Sequence, residues 1–148
     1  MSSERKTAVV AGAFFIVAAV AAVIGLALYG PVLHDTHYVL RASGGDGRVL
    51  AGAICEIVLA ISVIGTAVTL YPVVRREHEG LAIGYVAGRT VEAVVIITGI
   101  ISLLSVVTLH QHLAGTPGAD AGALVTVSRA LVAVHDWTSW SAPAWRSA

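Results

Sequence analysis

Charged side chains are scarce in this 148-residue chain. Asp, Glu, Lys and Arg make up 12% of it, whereas hydrophobic residues make up 57%, and the mean hydropathy is +0.84. A soluble domain carries about 25% charged residues, so the composition predicts a membrane protein in contact with the lipid bilayer. Nine basic and nine acidic residues balance, which excludes the basic surface that nucleic-acid binding requires.

Cysteine is also nearly absent, and catalytic motifs are missing. Cys55 alone excludes an intrachain disulfide and a cysteine-based zinc cluster. The chain contains no GxSxG, no HExxH and no phosphate-binding glycine loop. His135 and Asp136 are neighbours in sequence, and such neighbours do not face each other on a helix. We therefore predict a protein that is not an enzyme and that uses no cofactor.

What the chain has instead is long apolar runs. Three of them exceed the roughly 20 residues of a membrane-spanning helix, and isolated strands are excluded because they leave their backbone unsatisfied in lipid. The predicted spans cover about residues 7–30, 49–74 and 81–109. A shorter segment over 121–138, capped by Asp120, is either a partial span or an interfacial helix. The predicted fold is an all-α transmembrane bundle that forms one domain over 1–148.

The basic residues predict the orientation of the helices, because Lys and Arg accumulate on the cytoplasmic side of short loops. Alternating passes place Arg5, Lys6, Arg75 and Arg76 on one side and Arg41 and Arg48 on the other. We therefore predict a multi-pass protein of the cell membrane with a cytoplasmic N-terminus. The charged sequence RREHEG at 75–80 then forms an inner turn between antiparallel helices.

Three charged residues interrupt the second and third runs: Glu56, Arg89 and Glu92. Each charge costs about 2.5–3.5 kcal/mol at the centre of a membrane helix if it is unpaired. At about 1.5 Å of rise per residue, Glu56 and Glu92 reach a similar depth on adjacent helices, and Arg89 shares a helix face with Glu92. We predict one buried polar cluster with Arg89 as the shared cation. This cluster is either a structural clamp or the site of a small-solute, ion or proton carrier.

Glycines recur at every fourth residue where the third span begins, at Gly80, Gly84 and Gly88. This spacing lines one helix face with glycine and permits the close approach of a neighbouring backbone. We predict a helix-packing face. The alternatives are an interface with another copy or another membrane protein, and the wall of a substrate path.

The predicted outer loops contain four of the six histidines, namely His34, His37, His110 and His112. With Asp35 or Asp120 they offer ligands for zinc or copper. No spacing among them matches a metal-binding motif, so we predict solvated loop histidines and no metal site.

The order of these features resembles a known family. The helix around Glu56, the sequence LYP at 70–72, the sequence EGLAIGY at 79–85 and the Arg89/Glu92 pair carry the resemblance. They are similar to a bacterial family of uncharacterised multi-pass membrane proteins, domain-of-unknown-function family 4386, from about Arg5 to Thr138. The resemblance implies a helical bundle in the cell membrane, no known activity and about two further spans.

The last ten residues, SWSAPAWRSA at 139–148, depart from the family pattern, which continues with an apolar stretch. One additional T in a compatible coding sequence restores an apolar reading. We therefore expect a frameshifted end and a truncated chain. The alternative is a short amphipathic tail with Trp140 and Trp145 at the membrane interface, and the nucleotide sequence of the gene decides between the two.

Overall fold

The computed structural model describes residues 3–34, 38, 45–113 and 120–139. The helices in these ranges are α1 (Ser3–Leu28), α2 (Gly30–His34), α3 (Asp46–Glu77), α4 (Glu79–Leu113) and α5 (Ala121–Thr138). No strand occurs in the described ranges, so the all-α prediction is confirmed. The predicted metal ligands His37 and Asp35 and the tail beyond Ser139 lie outside the described residues.

Three helices are long and apolar enough to cross a membrane, as predicted. They are Glu4–Leu28, Asp46–Glu77 and Glu79–His112. Many of their large apolar side chains face outward, and Phe15 is 66% and Val23 71% exposed. Apolar surface on this scale is typical of a protein that meets lipid or a partner.

The turn at RREHEG (75–80) is shorter than predicted. Within RREHEG only His78 leaves the helical conformation, with φ −151° and ψ 112°, and its N–H donates to the Val74 carbonyl. Arg and Glu are good helix formers, so the helices continue through them, and Arg75 Nη2 pairs with Glu79 Oε1 at 3.1 Å. A one-residue connection fixes α3 and α4 as a tight hairpin.

Helix α1 runs antiparallel to α3, and glycines on α3 set their spacing. A methyl group at Gly65 would lie 2.8 Å from the Phe14 ring, and one at Gly52 would lie 2.7 Å from the Tyr29 ring. The first half of α1 therefore packs against the second half of α3, and the end of α1 packs against the first half of α3. Each glycine leaves the space that an aromatic ring occupies, Phe14 of α1 at Gly65 and Tyr29, which directly follows α1, at Gly52.

The predicted packing face at Gly80, Gly84 and Gly88 requires a correction. No atom of the described residues lies within 4 Å of a methyl group placed at any of the three. On α4 it is Gly99 that permits close approach, because a methyl group there would collide with Thr138 of α5. Alanines already supply small, buried positions elsewhere on α4, with Ala82 0% and Ala93 1% exposed. Gly80 and Gly84 are left on an open face, and Gly88 lines a cavity.

The two ends of the bundle differ in chemistry. At the end that holds the turn at His78, exposed Arg76 Nη1 lies 3.5 Å from Glu4 Oε1 of α1. At the opposite end lies an apolar core of Tyr29, Val32, Tyr38, Val49, Leu103, Val106 and Val107. Between these ends, Ser and Thr hydroxyls donate to carbonyls one helical turn earlier, as Ser62 does to Val58 at 2.7 Å, which satisfies them without a partner helix.

Candidate functional site

Glu56 is a carboxylate buried in the middle of the described bundle, and only 9% of it is exposed. The Tyr29 hydroxyl donates to Glu56 Oε2 at 2.9 Å, and His135 Nε2 lies 3.3 Å from Glu56 Oε1. The Tyr29 and His135 rings meet edge to face, with their centroids 5.2 Å apart. We call Tyr29, Glu56 and His135 the inner cluster. It joins the end of α1 to α3 and α5.

Small residues make room for the inner cluster. Gly52 lies against the Tyr29 ring, and Gly25 lies against Glu56, where an added methyl group would be 3.6 Å from Glu56 Cγ. Gly99 of α4 leaves space for His135, whose Cδ2 would be 3.3 Å from a methyl group there. Tyr29 is 0% and His135 1% exposed, so both rings are enclosed by their neighbours.

Beside Glu56 and His135 lies a cavity of about 730 Å³ between α1, α3, α4 and α5. It is open to the surface of the bundle, since its wall residues Val23 and Val91 are 71% and 63% exposed. Its polar lining comes from Glu56, Glu92, His135, Thr138 and Ser139. Its walls are apolar and come mainly from α1 and α4, including Val23, Leu26, Val91, Val95 and Ile96. The α4 wall extends from Gly88 to Gly99, which corresponds to about 16 Å along the helix. The cavity is therefore an elongated, mainly apolar space, with the Glu56 carboxylate exposed to it.

The predicted cluster of Glu56, Arg89 and Glu92 is only partly assembled. Arg89 Nη1 pairs with Glu92 Oε2 at 2.5 Å, and Glu92 shares the cavity with Glu56. The hydrogen-bond partners of Glu56 in the described residues are Tyr29 and His135. Arg89 is therefore not the shared cation.

The register of the hairpin explains this correction. His110 of α4 lies 3.0 Å from Asp46 of α3, so the level of a residue follows from its distance to the turn at His78. Glu56 lies about six helical turns from His78, and Arg89 lies about three. The two side chains are consequently separated by several turns along the bundle.

Glu56 has no fixed cation beside it. Among the described residues, its one ion-pair partner is His135, which is charged only when protonated. His135 Nδ1 is buried and has no hydrogen-bond partner there, and Asp136 Oδ1 is 3.9 Å away, too far for a hydrogen bond. Arg89 is neutralised by Glu92. An ionised Glu56 therefore gives the cavity one negative charge that no fixed cation compensates.

A second group of polar residues stands where α3 begins and α4 ends. Asp46 accepts hydrogen bonds from the Tyr38 hydroxyl and from Gln111 Nε2 at 3.0 Å, and its Oδ1 lies 3.0 Å from His110 Nδ1. We call these four residues the outer cluster. Burial and the hydrogen bond with Asp46 raise the pKa of Tyr38 above its usual value.

The histidines considered as metal ligands are separated in space. His34 and His112 are exposed, and His110 belongs to the outer cluster. The part of the chain that the structure describes contains no group of three or more His, Cys, Asp or Glu side chains arranged to hold a metal ion.

Sequence reasoning did not connect Tyr29 and His135 with Glu56. Both are polar rings in otherwise apolar segments, and this is the signal that was available. Their contacts with Glu56 depend on how α1 packs against α3 and how α5 packs against α4, which the order of residues does not reveal.

The chain was compared with known proteins at the level of families, individual sequences and structures. A family model described as a domain of unknown function, DUF4386, matches residues 10–145. No match was found among curated proteins or among solved structures. Since the match covers most of the chain, the protein belongs to the domain-of-unknown-function family DUF4386.

Proposed function

We propose that this protein is a non-enzymatic integral protein of the cell membrane that binds and carries a small, mainly apolar molecule with one positive charge. The observation that supports the proposal is the position of Glu56. It is a buried carboxylate without a fixed cation, and it lines a cavity with apolar walls.

The ligand class follows from the size and charge of the cavity. A volume of about 730 Å³ is within the range of about 300–1,000 Å³ that is usual for small-molecule sites. The apolar walls favour an apolar body, and the missing positive charge favours a cation over a neutral molecule or an anion. A bound cation would neutralise Glu56 in the same way that Arg89 neutralises Glu92.

The alternative is that the inner cluster is a structural clamp. It is favoured by the fact that Glu56 of α3 hydrogen bonds with Tyr29 at the end of α1 and with His135 of α5. A clamp needs no ligand, so it predicts a loss of stability when Glu56 is replaced, and no saturable binding by the intact protein.

Binding of tetraphenylphosphonium, a permanent apolar cation, separates the two functions. We expect saturable binding to the protein in zwitterionic nanodiscs, measured by isothermal titration calorimetry against empty nanodiscs. Triphenylphosphine oxide, a neutral compound of similar character, should bind much more weakly. Glu56→Gln should weaken cation binding by at least about tenfold, or about 1.4 kcal/mol.

Glu77→Gln is the matched control, because Glu77, the last residue of α3, is exposed and lies outside the cavity lining. It should leave the affinity unchanged. Lack of saturable binding by the wild-type protein, or equal binding by Glu56→Gln, contradicts the proposal. Uptake of the cation into proteoliposomes that requires Glu56 then distinguishes a carrier from a binding protein.

We propose further that the N-terminus lies in the cytoplasm. The Arg76–Glu4 contact supports this orientation, because it joins the basic residues at the start of α1 and the end of α3 at one end of the bundle. Single cysteines at His78 and His112, in a Cys55→Ala background, test it with a membrane-impermeant maleimide on intact cells. His112→Cys should react directly and His78→Cys only after permeabilisation; the reverse pattern overturns the orientation.

A further inference from the structure

We propose that the inner cluster holds one proton when no cation occupies the cavity, and that cation binding releases this proton. Proton and cation thus exchange at Glu56. This inference rests on the proposed function and adds the coupling of the site to pH.

The first step of the argument is the charge balance around Glu56. The groups that face it are Tyr29 from the end of α1 and His135 from α5, while Glu92 of α4, which is paired with Arg89, lines the same cavity at another level. Cys55 precedes it on α3, and Asp136 stands beyond His135 at 3.9 Å from Nδ1.

The Asp136 side chain is 41% exposed and outside the cavity lining, and Glu92 is paired with Arg89. An ionised Glu56 with a neutral His135 therefore leaves one uncompensated negative charge in the apolar part of the bundle. Such a charge is strongly unfavourable in a membrane. One proton or one monovalent cation neutralises this negative charge, and the two together would leave one uncompensated positive charge. The charge balance consequently makes their binding competitive.

The second step is that the hydrogen bonds of the inner cluster survive the change of protonation. When Glu56 is ionised, it accepts from the Tyr29 hydroxyl and from His135 Nε2–H. The added proton has two possible positions, and either one keeps the 3.3 Å contact between His135 Nε2 and Glu56 Oε1. It resides on His135 Nδ1, which makes the ring a cation that still donates to Glu56. Alternatively it resides on Glu56 Oε1, which then donates to Nε2 of the other histidine tautomer.

The orphaned His135 Nδ1 is consistent with a site that gains and loses a proton. This atom is buried without a hydrogen-bond partner in the described residues, and the Asp136 carboxylate lies on its side of the ring. A neutral ring offers a lone pair there, and a protonated ring directs an N–H toward a negative charge. Tyr29 donates to Oε2 in both states, so it holds the carboxylate in place.

The third step is the shared access to the cavity. Both Glu56 and His135 line it, so the proton and the cation occupy adjacent positions of one site. The exchange balances in charge: one cation enters, one proton leaves to solvent, and no bond other than O–H or N–H changes.

Calorimetry in paired buffers tests the exchange. Tetraphenylphosphonium carries no titratable proton, so protons that appear on binding come from the protein. Titrations at one pH in buffers of different ionisation enthalpy give the number of protons released. We expect about one proton per cation at acidic pH, with the affinity rising about tenfold per pH unit until the inner cluster is deprotonated.

Binding without proton release at every pH from about 5 to 8 overturns the exchange and leaves the proposed function intact. Absence of binding overturns both. Glu77→Gln, outside the cavity, should release the same number of protons as the wild type, and a changed number would contradict the assignment to the inner cluster. The wild-type titration decides the question even if Glu56→Gln does not fold.

Discussion

The inner and outer clusters are built from the same three kinds of side chain. In each, a carboxylate of α3 accepts a hydrogen bond from a tyrosine and faces a histidine ring. Asp46 and Glu56 are about 15 Å apart along one helix. Asp46 has a third partner in Gln111, whereas Glu56 faces a cavity.

This difference shows that residue types alone do not assign a role to a buried carboxylate. The outer cluster joins the beginning of α3 to the end of α4 and has its hydrogen bonds occupied, so it stabilises the fold. The inner cluster keeps one side free and has no fixed cation, so it is suited to bind a ligand. Breaking one cluster at a time should separate stability from binding.

Gly52→Leu should have the largest effect on stability, because it forces the Tyr29 ring out of its place beside Glu56. Even one methyl group at Gly52 would lie 2.7 Å from that ring, and overpacking of this kind costs about 3 kcal/mol. Reversible unfolding in detergent mixtures measures the loss. Gly84→Leu is the matched control, since it lies on the open face of α4, and it should change stability by no more than about 0.5 kcal/mol. Equal effects of the two substitutions would contradict the α1–α3 packing.

Asp46→Asn should break the outer cluster alone. Hydrogen bonds to a charged group contribute about 1.5–3 kcal/mol, so we expect the free energy of unfolding to fall by about 2 kcal/mol. The affinity for tetraphenylphosphonium should remain within about twofold of wild type, because Asp46 lies outside the cavity lining. A large loss of affinity would show that the two clusters do not act separately.

Tyr38→Phe should have the smallest effect, which appears at alkaline pH. Because the pKa of Tyr38 is raised in the folded state, the folded protein keeps a proton that the unfolded chain loses above about pH 10. This stabilisation is complete below that pH and is lost as the pH rises through the folded-state pKa. Stability should therefore fall less steeply above about pH 10 in Tyr38→Phe than in the wild type; identical slopes would contradict the burial of Tyr38 against Asp46.

The fold was more predictable from the sequence than the site. Uninterrupted apolar length identifies α1, α3 and α4, and the spacing of Arg89 and Glu92 anticipates their ion pair. The partners of Glu56 were not predictable, because they depend on how α1 packs against α3 and how α5 packs against α4. The regular glycines at Gly80 and Gly84 stand on an open face.

The same limit applies to the glycines that do pack. Gly52 and Gly65 share no regular spacing, and each is required only because an aromatic ring, Tyr29 or Phe14, lies opposite. A periodic pattern shows which residues share a helix face. It does not show which face packs against a neighbouring helix, because that depends on how the other helices are arranged.

The most direct test of the account compares the two carboxylates of α3 in one assay. Tetraphenylphosphonium is titrated into Glu56→Gln and Asp46→Asn in the same zwitterionic nanodiscs as the wild type. The account predicts that Glu56→Gln loses at least about tenfold in affinity and that Asp46→Asn retains it. Equal affinities of the two variants would contradict the assignment of the ligand site to Glu56.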